Sequence, residues 1–256
     1  MLSRGGLQQS ATREAGHPQR VSLALLGMSR AQNVYDGERF GRARCDTGAY
    51  PRHRHPFGYM CVVIGGGFIE AGDAGRFRLR AGDVLVHRNF EAHMDVFGAS
   101  AAEVLNLPLV HGLPEQGLIK CSNLDTVAIE AERDPWSAAM LVAEAFVAGS
   151  GEQDWPDLLA RDLSRNPALE IGAWSSAHGL APATVSRGFR SAYGTSPARF
   201  RAEARARQAG HAVATGVEPL SGVAAELGFA DQAHMTRAVK EISGLPPGRL
   251  RSAGSN

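Results

Sequence analysis

Cysteine is scarce: the 256 residues hold three, Cys45, Cys61 and Cys121. An odd, sparse set excludes a disulfide framework and fits a reducing, cytoplasmic compartment. No C-x-x-C pair marks a redox motif, so Cys45 and Cys61 are expected to be buried small apolar residues. Long apolar runs are lacking too. The longest, Ala138–Gly149, is interrupted by Glu144 and falls well short of the ~20 residues that cross a bilayer. The first twenty residues lack the apolar middle of a secretory leader and read as a disordered tail. Strong charge of either sign is also missing, with 27 Lys and Arg against 26 Asp and Glu. Apolar residues make up 44% and charged residues 21%, the profile of a soluble globular protein.

The small net charge is unevenly placed. From Ala168 onward there are 10 Lys and Arg against 6 Asp and Glu, which leaves residues 1–167 with 17 against 20. The C-terminal third is the basic part. The chain is otherwise rich in turn residues, with 30 Gly and 13 Pro. Between residues 21 and 110 Gly punctuates short β-rich runs: VSLALLGM, YMCVVI, GFIEAG, RFRLR, DVLVH, HMDVF and AEVLNLPL. Many short strands with Gly turns predict a barrel or sandwich. From Asp125 the pattern turns helical. Asp134 reads as an N-cap with Pro135 at the first helical position and Gly149 as the stop. Trp136, Met140, Leu141, Phe146 and Val147 would form the apolar face, packed on the strands or available for a homodimer. DWPDLLARDL repeats the Asp/Pro start.

The most informative feature is a repeat. VSRGFRSAYGTSP (Val185–Pro197) and MTRAVKEISGLPP (Met235–Pro247) align position for position, with Arg187 on Arg237, Arg190 on Lys240, Gly194 on Gly244 and Pro197 on Pro247. Each copy follows a short apolar segment and a Gly. In the first, Leu169, Ile171, Trp174 and Ala177 point inward before Gly179, and Val185, Phe189 and Ala192 form the next buried stripe. In the second, Leu220, Val223 and Leu227 precede Gly228, Asp231 caps the next helix, and Met235 and Val239 point inward. Two short helices about a Gly turn describe a helix-turn-helix. The outer faces carry Ala183, Thr184, Ser186, Arg187 and Arg190, then Gln232, His234, Thr236, Arg237 and Lys240. Small polar side chains and Arg suit base edges and phosphates of double-stranded DNA. Pro197–Thr215 between the copies predicts one continuous helix, able to hold two readers in successive major grooves.

Residues 168–251 resemble the AraC/XylS-type DNA-binding domain, with GLAPATVSRGFRSAYGTSPARFRAEARARQA and AAELGFADQAHMTRAVKEISGLPPGRLR following its double pattern. The resemblance implies recognition helices at Ala183–Arg190 and Gln232–Lys240, and RNA polymerase as a partner if the protein activates. The N-terminal half resembles a cupin, the sensor barrel usual in that family. GAYPRHRHPFGY places His53 and His55 on one strand face, and GDVLVHRNFEAH puts His93 where the second cupin motif has its histidine. Metal-binding cupins carry a Glu where this chain has Tyr59. Three His can still hold Zn²⁺ with one position open, completed by His87, Glu91 or Asp95. The alternative is a metal-free pocket for an organic effector lined by His53, His55, Tyr59 and His93. The Arg-rich stretch around these histidines reads as a solvated rim.

The expected fold is α+β: a tail over 1–20, a cupin-like sensor barrel over 21–112, a helical linker or dimerisation segment over 113–165, and an all-α domain with two helix-turn-helix motifs over 166–256. The expected function is a bacterial, effector-controlled transcription regulator with no catalytic residue, no membrane partner and no certain cofactor. A divalent metal on His53, His55 and His93, or a metal-dependent cupin enzyme with a helical appendix, is the competing reading.

Overall fold

The structure is a computed structural model that describes residues 40–254, except 115, 116, 145, 150, 152, 153 and 167. The described residues all belong to one compact unit. The tail expected over 1–20 and the strand expected in VSLALLGM fall outside them.

Strands come first: β1 Gly41–Cys45, β2 Gly48–Arg54, β3 Tyr59–Gly65, β4 Gly67–Gly72, β5 Gly75–Arg80, β6 Asp83–His87, β7 Ala92–Phe97, β8 Ala102–Pro108 and β9 Gly117–Cys121. Two helices, α1 Leu124–Ala131 and α2 Pro135–Glu144, lead into a short β10 at Phe146–Ala148. The rest is helical: α3 Trp155–Arg165, α4 Ile171–Ala177, α5 Pro182–Tyr193, α6 Pro197–Thr215, α7 Leu220–Glu226, α8 Gln232–Ser243 and α9 Pro247–Gly254. No helix among the described residues is long and apolar enough to cross a membrane.

The strands form two antiparallel sheets, β1-β8-β3-β6-β9-β10 and β2-β7-β4-β5. This corrects the expected barrel. The fold is mixed α and β, but the sheets stay open, because consecutive β1 and β2 join different sheets and, among the described residues, no ladder links the two. They share an apolar core instead, with Tyr59, Cys61, Val63 and Leu85 of the larger sheet meeting Phe68, Phe77, Leu79 and Phe97 of the smaller. The other side of the larger sheet, Met60, Val62, Val84, Val86, Leu105 and Leu107, is covered by α1 and α2. Strand β3 is thus buried on both faces, which explains its unbroken apolar run.

Helix α2 starts as its sequence predicts: the Asp134 carboxylate accepts hydrogen bonds from the Trp136 amide and the Ser137 hydroxyl. Its buried face differs from the expectation. Ala138, Ala139 and Val142 meet the sheet, while Trp136 and Met140 are exposed. Small residues let the helix approach the strands closely, and this decides which face turns in. Cys45 and Cys61 are buried as expected.

Towards the C-terminus, two seven-residue helices, α4 and α7, each lead through a turn into a twelve-residue helix, α5 and α8. The turns rest on Gly179 and Gly228, and the helices end on Gly194 and Gly244, all with positive φ between 65° and 73°. Glycine reaches that left-handed backbone without a Cβ clash. The buried stripe of α5 is Val185, Phe189 and Tyr193, with Ala192 half-buried beside it. On α4 Trp174 is buried, but its partner is Ser175 rather than the exposed Ala177, and Leu169 precedes the helix. Helix α6 is one continuous element of 19 residues.

Candidate functional site

Two groups of residues stand out: the outer faces of α5 and α8, and a buried ionisable cluster between the sheets. On α5 Ala183, Thr184, Ser186, Arg187 and Arg190 are all exposed, since Val185 and Phe189 hold the opposite stripe in the core. On α8 Gln232, Arg237 and Lys240 are exposed, and His234 and Thr236 half-buried, around the buried Met235 and Val239. Asp231 caps α8 by accepting from the His234 amide at 2.6 Å. Among the described residues, Arg187, Arg190, Arg237 and Lys240 form no ion pair, so their charges stay uncommitted.

The cluster is positioned by an irregularity in β2. Opposite β7, Tyr50 pairs with Asp95 but His53 pairs with His93, so β2 carries one extra residue between them. This is a β-bulge, a position that tolerates Pro51. It resets the side-chain phase. Tyr50 packs inward on Phe97 at 5.2 Å, and His53 also turns inward, three residues on. Unbroken alternation would have pointed Arg52 and Arg54 inward.

Inside, rings crowd around His93. Its centroid lies 4.5 Å from that of His53, 5.1 Å from His55 and 4.8 Å from His87. Tyr59 stacks on His87 at 4.5 Å and meets His55 at 5.1 Å. The Nε2 atoms of His53 and His93 are 3.0 Å apart, and His53 Nδ1 lies 2.9 Å from the Pro51 carbonyl. The four sequence-predicted pocket residues His53, His55, Tyr59 and His93 are therefore brought together.

The acid missing at position 59 comes from another strand. Glu70 of β4 approaches His93 Nδ1 at 3.1 Å and His87 Nε2 at 3.5 Å, and Asp95 Oδ2 lies 3.9 Å from His93 Nε2. Glu70 and Asp95 are directly paired across β4 and β7. Burial pushes both carboxyls well above the usual carboxylate range. Burial also holds His87 and His93 well below the usual imidazole range, helped by the neighbouring histidines. Among the described residues, two groups could hold a metal: His53, His55 and His93, and Glu70, His87 and His93. Glu91 is buried but belongs to neither. Sequence reading missed Glu70, although it was visible as the one charged residue in phase with Phe68 in an apolar strand.

Residues 174–253 match the family model of a helix-turn-helix domain. The chain carries an AraC-type helix-turn-helix domain. The match covers 80 of the 256 residues. Solved structures similar to it include the C-terminal domain of AraT, a response regulator from Geobacillus stearothermophilus, with 18% identity, 38% of this chain and 80% of that one covered, and a TM-score of 0.34. A transcriptional regulator from Chromobacterium violaceum with an AraC-type DNA-binding domain gives 16% identity, 38% and 89% coverage and a TM-score of 0.36. ToxT from Vibrio cholerae gives 9% identity, 83% and 98% coverage and a TM-score of 0.37. No curated protein matches the chain.

The AraC-type domain is tied to the back of the strands that carry the cluster. Arg52 and Arg54 alternate with His53 and His55, and their guanidiniums turn to α6 rather than to solvent, which corrects the expected rim at these two positions, while Arg42 and Arg44 of the same stretch are exposed. Arg52 Nη2 lies 2.5 Å from Asp73 Oδ1 and 3.2 Å from Glu203 Oε2, and Arg54 Nη2 lies 3.3 Å from the same Glu203 oxygen. Arg207 of α6 reaches Asp73 at 2.6 Å. These cations offset the burial of Asp73, holding its carboxyl below the usual range. Arg54 also donates to the Phe90 carbonyl. Phe90, between His87 and His93, has φ 66° and packs against the core formed by α6, α7, α8 and α9. Arg76 of β5 makes a bidentate pair with Asp157 of α3 at 3.0 Å, and Tyr193 of α5 donates to that carboxylate at 2.9 Å.

Proposed function

We propose that this AraC-type protein is a sequence-specific regulator controlled by an effector bound between its two sheets. The observation that carries this reading is the doubled helix pair. Each end of α6 bears a short helix, a Gly turn and a long helix with uncommitted cations outside, and α6 is itself ion-paired to the strands that carry the cluster. Residues 166–256 act as a reader with two helix-turn-helix motifs. Ala183, Thr184, Ser186, Arg187 and Arg190 of α5, and Gln232, His234, Thr236, Arg237 and Lys240 of α8, face DNA. At ~1.5 Å per residue α6 is roughly 28 Å long, close to the ~34 Å between successive major-groove faces. One chain then reads two adjacent grooves.

Residues 21–112 serve as a cupin-like sensor and 113–165 as the linker, in a protein of the bacterial cytoplasm. Footprinting on the DNA upstream of its own gene tests the reading. Two protected patches about one helical turn apart are expected. The absence of any shift or protection at low salt, with or without added ligands, counts against it. The buried cluster favours a second reading, a metal-dependent enzyme, which requires turnover by the purified protein and no dependence of phenotype on Arg187 or Arg237.

A further inference from the structure

We propose that Lys240 is a regulatory acylation site of the reader: its Nζ takes an acetyl group from an acyl thioester, and the loss of that one charge weakens DNA binding. The proposal rests on the reading of α8 as a DNA-facing helix and adds a covalent control to it.

Composition is the first argument. The chain holds 25 arginines but only two lysines, Lys120 and Lys240. A guanidinium stays protonated, whereas the lysine amine is the group that acylates. Of the four cations on the outer faces of α5 and α8, Arg187, Arg190 and Arg237 are therefore closed to this chemistry. Lys240 alone is open to it.

Local geometry is the second argument. Lys120 is held in place. Its Nζ lies 2.5 Å from Oδ1 of the buried Asp83, whose other oxygen accepts from the Arg80 amide at 3.0 Å. Acylating Lys120 would leave that buried carboxylate without its cation. Lys240 is exposed in the last turn of α8. One turn to either side of it stand Thr236, Arg237, Ser243 and Gly244, so no acid is placed to pair with it along the helix. Glu241, next in sequence, gives its carboxylate to Arg199 at 2.6 Å. Helical side chains lean toward the N-terminus, which carries the lysine stem toward Thr236 and Arg237 on the reading face.

The chemistry closes without a further reagent. The unprotonated amine adds to the thioester carbonyl carbon. A C–N bond forms, the C–S bond breaks, and the proton lost by nitrogen goes to the departing thiolate. The product is a neutral amide and a free thiol. Removing a charge from a phosphate contact lowers both affinity and its salt dependence, by about 0.9 in the logarithmic slope. Three arginines remain, so the control is graded. An amine resting on a phosphate is also shielded from the thioester, so the DNA-bound chain reacts more slowly.

The test incubates the full chain with acetyl coenzyme A and follows both lysines by peptide mass spectrometry. Lys240 is expected to react roughly tenfold faster than Lys120, whose amine must first leave a charged hydrogen bond. Saturating duplex DNA from upstream of the gene should slow Lys240 about fivefold and leave Lys120 unchanged. The acetylated chain should bind that DNA about fivefold more weakly at 0.1 M salt, with a salt slope lower by about 1. Lys240→Gln should reproduce the weakening. Lys240→Arg should bind as the wild type does, before and after treatment, which separates Lys240 from every other amine. The proposal is overturned if Lys120 reacts as fast as Lys240, if DNA gives Lys240 no protection, or if the acetylated chain binds unchanged. Equal weakening of treated Lys240→Arg also overturns it, since another amine is then responsible. A chain that binds no DNA before treatment defeats the regulator reading and the switch with it, an outcome distinct from lost selectivity, which mass spectrometry reads without DNA.

Discussion

Nη2 of Arg52 lies 3.2 Å from Oε2 of Glu203, a contact that spans 151 positions of the chain. The same Glu203 oxygen receives Arg54, and its other oxygen accepts from Arg199 at 2.8 Å. Strand β2 and helix α6 are thus joined through one mostly buried carboxylate. Removing one member of a buried ion-paired network strands its partners.

Glu203→Gln should therefore lower stability by about 2–4 kcal/mol in a urea melt. The control is Glu241→Gln, which breaks the exposed Arg199–Glu241 pair and should cost no more than about 0.5 kcal/mol. Equal effects would mean that the buried network contributes no more than a surface pair.

DNA contacts are tested by Arg187→Ala and Arg237→Ala. Each should weaken specific binding by about 1–3 kcal/mol if it makes a bidentate base contact. Lys240→Ala, at the end of α8, should weaken binding to all sequences alike and reduce the salt slope by about 1. If both arginine variants bind as the wild type does, α5 and α8 are not the reading helices.

Tyr193→Phe removes the hydroxyl that donates to Asp157 at 2.9 Å. Arg76 still holds that carboxylate, so the loss should be about 1–2 kcal/mol, read by thermal unfolding. Gly188→Ala should cost more. A Cβ there would run into the Trp155 ring, so the ring must leave the face of α5. Tryptophan fluorescence reports whether it does.

The turn glycines separate backbone from packing. Gly228 has φ 69° and open space around a would-be Cβ, so Gly228→Ala should cost only the left-handed penalty, about 1–2 kcal/mol. Gly194, at φ 66°, adds approaches of 3.0 Å to Met94 Sδ and 3.3 Å to Arg52 Cβ. Gly194→Ala should therefore exceed Gly228→Ala in chemical denaturation.

The doubled helix pair was legible in sequence because local signals carry it: Gly at the turns, Pro at helix starts and an apolar stripe between. Pro197–Thr215 was readable as one helix for the same reason. The strands with clear apolar runs, β3 to β8, were readable too. Strand β2 was readable only through its resemblance to a cupin motif, since GAYPRHR contains a proline and two arginines and has no apolar run. Helix α2 misled because its largest apolar residues are not those that touch the sheet. Glu70 escaped because its group with His87 and His93 is drawn from three strands, β4, β6 and β7, and is a product of strand pairing, which no local spacing encodes.

The extra residue near Pro51 makes the spacing of β2 as consequential as its composition. Lengthening the segment from Tyr50 to His53 by one further position, with every other residue kept, would swap the inhabitants of the strand's two sides beyond it: guanidiniums into the apolar interior, imidazoles against Glu203. Sensor and linkage would fail together, so a one-residue insertion here should be far more damaging than a one-residue deletion, which removes the bulge and leaves His53 facing in.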